Sequence, residues 1–330
     1  MNQIKIGQIG KGSFGKKILS KLNNMKNISI DWVCGSQDKW WKQEKVDWVI
    51  VASPNEFHYE QAKYFLKNNT NVFCEKPGTL CSKSLEELIQ ISKDNNLCFY
   101  IDDVLVYENI IPLKNFIYKK WGGLSSNIID RIAYHHFYLM YPFVKDSTLD
   151  EIKVLKNDSN YKIFNLRFQK NKKFNFEYNF NWYKEKIHNV NPQFKGDALK
   201  EMLTKVLNKK VDFKLNQKRS LFATKISEQV KNKLYGKCAV VGGGIYGITT
   251  AIKLKNIGYE VDLFEEKDDI LQAASGINQY RVHRGYHYPR SFDTITSCKE
   301  NELSFIKTYN KSIISGINHF YAIASENSKT

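Results

Sequence analysis

The chain is poor in arginine and has no closely spaced cysteine pair. Its 330 residues hold six arginines against 44 lysines, and the formal net charge is +16. Proteins that read nucleic-acid sequence lean on arginine for bidentate base and phosphate contacts. A lysine excess spread along the whole chain reads instead as compositional bias, or as a positive field that draws in an anionic substrate or cofactor. No nucleic-acid partner is expected. None of the six cysteines forms a C-x-x-C pair. That argues against a zinc ribbon, a thioredoxin-type site and a disulfide-dense secreted scaffold. No metal site is expected, and the expected location is the reducing cytoplasm. No apolar run approaches the ~20 residues of a membrane span, and Met1–Ile6 reads as a strand rather than a signal peptide. What is present is 42% hydrophobic and 14% aromatic residues, enough for packed cores.

The first hundred residues alternate strand and helix. Strands are expected at 4–9, 28–34, 46–52, 72–74 and 97–101. Helices are expected at 13–22, at 56–68 behind an Asn55 cap, and from Ser84 to about Asn95 behind a Ser84/Glu87 capping box. Repeated βαβ units predict a doubly wound parallel sheet. From Asp150 to Trp182 the pattern becomes strand after strand. Phe174, Phe176, Tyr178, Phe180 and Trp182 alternate with polar residues, as on one face of a long antiparallel strand. Two helices follow, one carrying Met202, Leu203, Val206 and Leu207 at helical spacing. At Gly236 the α/β pattern restarts without a Gly/Ser- or Pro-rich linker.

Two glycine fingerprints stand out. Gly10-Lys11-Gly12-Ser13-Phe14-Gly15 is G-x-G-x-x-G between a strand and a helix. Its glycines permit the tight turn, the backbone approach to a pyrophosphate and close helix–strand packing. The helix N-terminus favours the anion. Twenty residues on stand Gly35 and Ser36 rather than an acid, which tilts this site from NAD toward NADP, with Lys39 available to a 2′-phosphate. The second fingerprint is Gly242-Gly243-Gly244-Ile245-Tyr246-Gly247. Here Glu265 follows 18 residues after Gly247, where an acid accepts ribose hydroxyls.

Residues 1 to about 234 resemble the Gfo/Idh/MocA family of NAD(P)-dependent oxidoreductases. The resemblance is carried by Gly10–Gly15, by Val46-Asp47-Trp48-Val49-Ile50-Val51-Ala52-Ser53-Pro54-Asn55 with His58, and by Glu75-Lys76-Pro77. It implies cofactor contacts from Gly10, Gly12, Ser13, Phe14, Gly15, Ser36, Ser53, Pro54, Asn55, His58 and Glu75. It also implies that Lys76 stands beside the nicotinamide and substrate, with Pro77 in the cis form. The family's Asp-x-x-x-His helix matches Arg131-Ile132-Ala133-Tyr134-His135, so the resemblance makes His135 an acid/base group or substrate ligand. Arg131 replaces the aspartate, which points either to an acidic substrate or to a decayed site. Asp102 and Asp103, at the end of a strand, are further candidates for substrate contact. The segment between Ile101 and Arg131 is short for the family.

Residues 237–330 resemble the start of a D-amino-acid-oxidase-type FAD-dependent oxidoreductase. The resemblance implies FAD contacts from Gly242, Gly244, Ile245, Tyr246, Gly247, Glu265, Ser275 and Asn278, followed by a basic cluster from Arg281 to Arg290. The segment is short for that fold, so FAD retention is not expected. The expected organisation is therefore α/β. A Rossmann domain (1–118) precedes an α+β substrate and dimerisation domain with an antiparallel sheet (119–235), and a partial Rossmann-like FAD unit (236–330) follows. The expected function is bifunctional: nicotinamide-dependent hydride transfer on a sugar, sugar-nucleotide or cyclitol, with a fused flavin module. A homodimer is expected. The alternative is a nucleotide-binding scaffold or sensor without catalysis.

Overall fold

Short β-branched runs set the first sheet. In the computed structural model, β1 (Ile4–Ile9), β2 (Ile28–Cys34), β3 (Trp48–Val51), β4 (Asn71–Cys74) and β5 (Phe99–Ile101) form one parallel sheet of order β2-β1-β3-β4-β5. The structure describes residues 3–35, 38–107, 113–122, 128–158, 160–182, 184–190, 196–277 and 291–309, with the single positions 282 and 313. β3 is buried along its whole length, as a strand covered on both faces must be. The order reverses between β1 and β3, which places a crevice at their carboxyl ends.

The first helix between these strands starts at Ser13 as the sequence leads one to expect, whereas the next two begin differently. α1 (Ser13–Leu22) opens directly behind Gly12. α2 (His58–Lys67) is preceded by a 3₁₀ turn at Asn55–Phe57, and Asn55 makes no capping bond. α3 (Ser82–Asp94) starts two residues before the expected capping box and has no side-chain cap of its own. Its Ser82 N–H donates to the Glu228 carboxylate instead, at 2.8 Å. A residue 146 positions away does the work that the local sequence signal suggested for Ser84.

After α4 (Val104–Tyr107) the second sheet begins at β6 (Asn115–Lys119). A π-helical turn at Ile129–Ala133 leads into α5 (Tyr134–Val144). β7 (Leu149–Asp158), β8 (Tyr161–Phe168), β9 (Lys172–Asn179) and β10 (Ile187–His188) complete the sheet in the order β10-β6-β9-β8-β7. It is mixed rather than wholly antiparallel, because β6 runs parallel to β9. The β9 aromatics Phe174, Phe176, Tyr178 and Phe180 are buried, and Trp182 is half-buried. Phe176 stacks on Phe164 and Phe116, and Phe137 of α5 meets it edge-on at 5.3 Å.

The last helices of this region tie the two sheets together. α6 (Ala198–Leu207) is capped by Asp197 and sends Met202, Leu203, Val206 and Leu207 into the core around Ile6, Trp48 and Tyr100. α7 (Phe213–Tyr235) is capped by Asp212. Near its start, the Asn216 side chain accepts from Ile101 N–H at 3.0 Å and donates to Ile101 O at 2.8 Å, while Gln217 donates to Phe99 O. These amides close the free edge of β5, which would otherwise expose unpaired backbone groups. Further along, Ala223, Ile226, Val230 and Leu234 enter the core of the second sheet.

Beyond Gly236, β11 (Lys237–Val241) and β12 (Glu260–Phe264) pair in parallel, with α8 (Ile245–Ile257) between them in sequence. α9 (Ala274–Ile277) and α10 (Phe292–Tyr309) follow. The chain falls into two compact units. One comprises residues 1–242 with 247–264, and the other comprises 243–246 with 265–330. No described helix is long and apolar enough to cross a membrane.

Candidate active site

The glycine loop is shaped by its neighbours. Gly10 has φ +109°, and a Cβ there would collide with Ala52 O. A Cβ on Gly15 would collide with Gly10 O, whereas one on Gly12 would meet nothing within 4 Å. The side chain of Gln8 donates to Gly10 O and Gly15 O at 2.9 and 3.0 Å and fixes the loop from below. α1 carries no acidic residue in its first turn and no side-chain cap. Open space at Gly12, next to uncapped helix N–H groups, suits a pyrophosphate.

Behind β2, three residues beyond Gly35, stands an acid that the spacing did not lead one to expect. The Asp38 carboxylate accepts from Gly35 N–H at 2.6 Å and from Lys11 Nζ at 3.4 Å. Those bonds, the Gly35 one first, hold its carboxyl below the usual range. Spacing counted from Gly15 missed it because a turn follows β2. Ser36 lies outside the described residues.

A cleft of about 270 Å³ opens beside the loop. Phe14, Glu75, Lys76, Arg131 and His135 line it, together with Asp102, Val104, Tyr118, Lys120 and Ile132. Glu75 and Lys76 follow β4, and Asp102 follows β5, so the carboxyl edge of the sheet supplies one wall. The Lys76–Pro77 bond is cis. Lys76 is buried and donates to Arg131 O at 2.7 Å, which ties the β4 edge to the π-helical turn. That turn is wound by i→i+5 bonds rather than as the regular α-helix expected, and such turns are frequent at functional sites. Arg131 and His135 nevertheless reach the same cavity.

Protonation in the cleft follows from burial. Burial, then Lys76, holds the His135 imidazole well below its ordinary range, so it is neutral at pH 7. Burial, then Glu75, pushes the Asp102 carboxyl up to about 8. Burial also raises Glu75, against Lys76 and His58.

Several expected contacts lie elsewhere. Asp103 does not line the cleft. It is buried, with its carboxylate accepting from Tyr100 and Tyr138 hydroxyls, the latter at 2.8 Å. Asp102, its neighbour, faces the cavity instead, because successive residues beyond a strand point to opposite sides. His58 is completely buried, its ring nitrogens 2.8 Å from Pro77 O and Ser53 O, so it holds two loops together. The Ser53 hydroxyl is likewise turned inward, to the Gln61 side chain at 2.6 Å. Ser53, Pro54 and Asn55 follow β3 at the carboxyl edge of the sheet without lining the cleft. Asp130, the acid next to Arg131, is paired with Lys231 of α7 at 3.0 Å. Tyr118 and Lys120, on and after β6, were not singled out from the sequence. Only the second sheet's pairing brings them here.

In the second fingerprint, Gly242 has φ +99° and a Cβ on Gly247 would collide with Gly242 O, so the turn keeps its glycine-dependent shape. Two of its donors are engaged within the protein. Gly243 N–H donates to the Glu265 carboxylate, which also accepts from Lys267 N–H. Ile245 N–H donates to Ser275 Oγ at 3.1 Å. Tyr246 is exposed. Glu265 and Ser275 thus turn onto the loop itself, and the fit to a dinucleotide is partial. Asn278 and the basic cluster, Arg281, His283, Arg284, His287, Tyr288 and Arg290, lie outside the described residues.

Known proteins match the chain in two blocks. Residues 26–102 match the Gfo/Idh/MocA family model, described as an oxidoreductase family NAD-binding Rossmann fold. Residues 237–315 match the FAD dependent oxidoreductase model. The chain is 42% identical over 86 residues to the FAD-dependent monooxygenase kojA of Aspergillus flavus, covering 26% of this chain and 20% of that protein. It is 29% identical over 137 residues to the 2,7-anhydro-N-acetylneuraminate hydratase of Mediterraneibacter gnavus, covering 40% and 35%. It therefore spans about a fifth to a third of these relatives. Myo-inositol 2-dehydrogenase from Lactobacillus plantarum superposes with a TM-score of 0.57 at 12% identity, covering 71% of this chain and 97% of that one, which shows a shared fold. The chain is thus similar to Gfo/Idh/MocA oxidoreductases over residues 26–102 and to FAD-dependent oxidoreductases over residues 237–315.

Proposed function

We propose that residues 1–235 bind a nicotinamide dinucleotide and oxidise or reduce a hydroxyl or ketone on a small polyol, sugar or cyclitol. The observation that carries this reading is one cleft, beside the glycine loop, that collects Lys76, His135 and Arg131 from β4 and the α5 entry. The dinucleotide would lie over Gly10, Gly12, Ser13, Phe14 and Gly15 and would supply the hydride acceptor or donor. Asp38 beside Lys11 suits two free ribose hydroxyls and repels a 2′-phosphate, so NAD is preferred over NADP. His135, neutral at pH 7, takes the proton from the substrate hydroxyl. Lys76 donates a hydrogen bond to that oxygen while its bond to Arg131 O holds it in place. The related proteins named for sugar and cyclitol chemistry support the substrate size. A division at residues 118 and 235, a homodimer and a cytoplasmic location belong to the same proposal.

In the second segment two loop donors, Gly243 N–H and Ile245 N–H, are already held within the protein. The test is an absorbance trace at 340 nm with NAD and a panel of polyols and sugar derivatives. Turnover of any member that is lost in Lys76→Ala supports the reading. An NAD-binding protein inert across neutral and acidic polyols alike contradicts catalysis and favours the scaffold.

A further inference from the structure

The lining of the cleft also bears on what occupies it; this rests on the reading just given and names the substrate class. Three cationic side chains, Lys76, Lys120 and Arg131, line a cavity of about 270 Å³. That is just below the ~300–1,000 Å³ usual for ligand pockets, which suits a ligand no larger than a monosaccharide. Like charges in so small a space repel one another unless an anion shares it. The acids in the wall answer this poorly. Glu75 and Asp102 are both disfavoured as carboxylates by burial, and Asp102 is held largely protonated at pH 7. Asp130, the next acid in sequence, faces α7 and is neutralised there by Lys231. Among the described residues, neither Arg131 nor Lys120 has a carboxylate within ion-pair distance.

We propose that the substrate is a carboxylated polyol of monosaccharide size, a sugar acid or cyclitol acid, whose carboxylate sits between Arg131 and Lys120. The planar guanidinium fork matches a carboxylate with two parallel N–H···O bonds. Lys76 gives one of its three donors to Arg131 O, which leaves others for a substrate hydroxyl. The division of labour is then geometric: Arg131 and Lys120 orient, while Lys76 and His135 face the reacting carbon.

The test compares D-glucuronate, D-glucose and D-glucose 6-phosphate, which differ only at C6. Each is titrated calorimetrically into the whole chain, with and without saturating NADH, in low salt. Glucuronate should bind at least tenfold tighter than glucose, and the gap should shrink with added salt. Arg131→Gln and Lys120→Gln should each bring the ratio of the two affinities toward one. Equal affinities, tighter glucose, no measurable binding of either, or tighter binding of the phosphate all overturn the assignment. Binding of NADH, read by its own fluorescence, reports separately on the nicotinamide site. A protein that fails with NADH but still selects glucuronate overturns the nicotinamide reading, and leaves standing only the carboxylate site between Arg131 and Lys120.

Discussion

Asp102 and His135 face one cleft with opposite titration costs. Asp102, ordinarily near 3.8, is pushed up to about 8 by burial and then by Glu75. Between these values the folded chain holds a proton that the unfolded chain has lost, so stability falls as pH rises across that window. The slope reaches ~1.4 kcal/mol per pH unit. His135 and His136 are lowered, burial first, and stay neutral when folded. Unfolded histidines protonate below ~6.5, so their contribution is lost as pH falls through that value. From about pH 6.5 to 8, Asp102 is the titrating member of this set. Urea midpoints across that range should decline for the parent and flatten in Asp102→Asn. Equal slopes for both proteins would show that the carboxyl is ionised when folded. Separately, Lys76→Ala and His135→Ala should each lower turnover ~10²–10⁴-fold, with NADH affinity little changed. Parental turnover in His135→Ala would remove it from the chemistry. Most of the proposed site was legible as residue types in order: Phe14, Glu75, Lys76, Arg131 and His135 meet in the cleft. The misses have physical causes. Asp103 and His58 look polar in the sequence, but the fold turns them inward. Lys120 and Tyr118 arrive only through long-range pairing of β6, which no local spacing announces.

At the scale of elements, the sequence located the strands and the α1 start well, and the starts of α2 and α3 poorly. β3 and the β9 aromatic face follow directly from burial patterns, whereas the α3 start depends on Glu228 of α7. The β9 face gives a sharp test. Phe176 is packed by Phe116, Phe164 and Phe137, so Phe176→Lys should cost ~3 kcal/mol or more, read as a drop in urea midpoint. A soluble variant of parental stability would mean that the face is open. The second glycine loop gives another. With Gly243 and Ile245 N–H groups held by Glu265 and Ser275, a dinucleotide must displace both bonds. The purified chain should therefore lack flavin absorbance near 450 nm. A yellow protein with stoichiometric FAD would show that the loop rearranges at little cost.

At the scale of the whole molecule, the two units differ in how much apolar surface they hide. The cores around β1–β5 and β6–β10 bury aromatic residues completely, while Tyr246, Ile277, Phe292 and Leu303 of the smaller unit are each more than three-quarters exposed. Stability follows burial, so amides of α10 should exchange with solvent faster than those of β1, β3 and β4 in a hydrogen-exchange experiment. Comparable protection would show that the smaller unit is held by something beyond its own packing. Cofactor binding by the larger unit rests on its first glycine loop. Because a Cβ at Gly12 meets no protein atom within 4 Å, Gly12→Val fills the space offered to a pyrophosphate without disturbing the fold. Titration of NADH by quenching of tryptophan emission is the most direct measurement. The expected result is saturable binding to the parent, weaker NADPH binding, and loss of both in a Gly12→Val variant that melts at the parental temperature. Equal NADH affinity in the parent and that variant would contradict it.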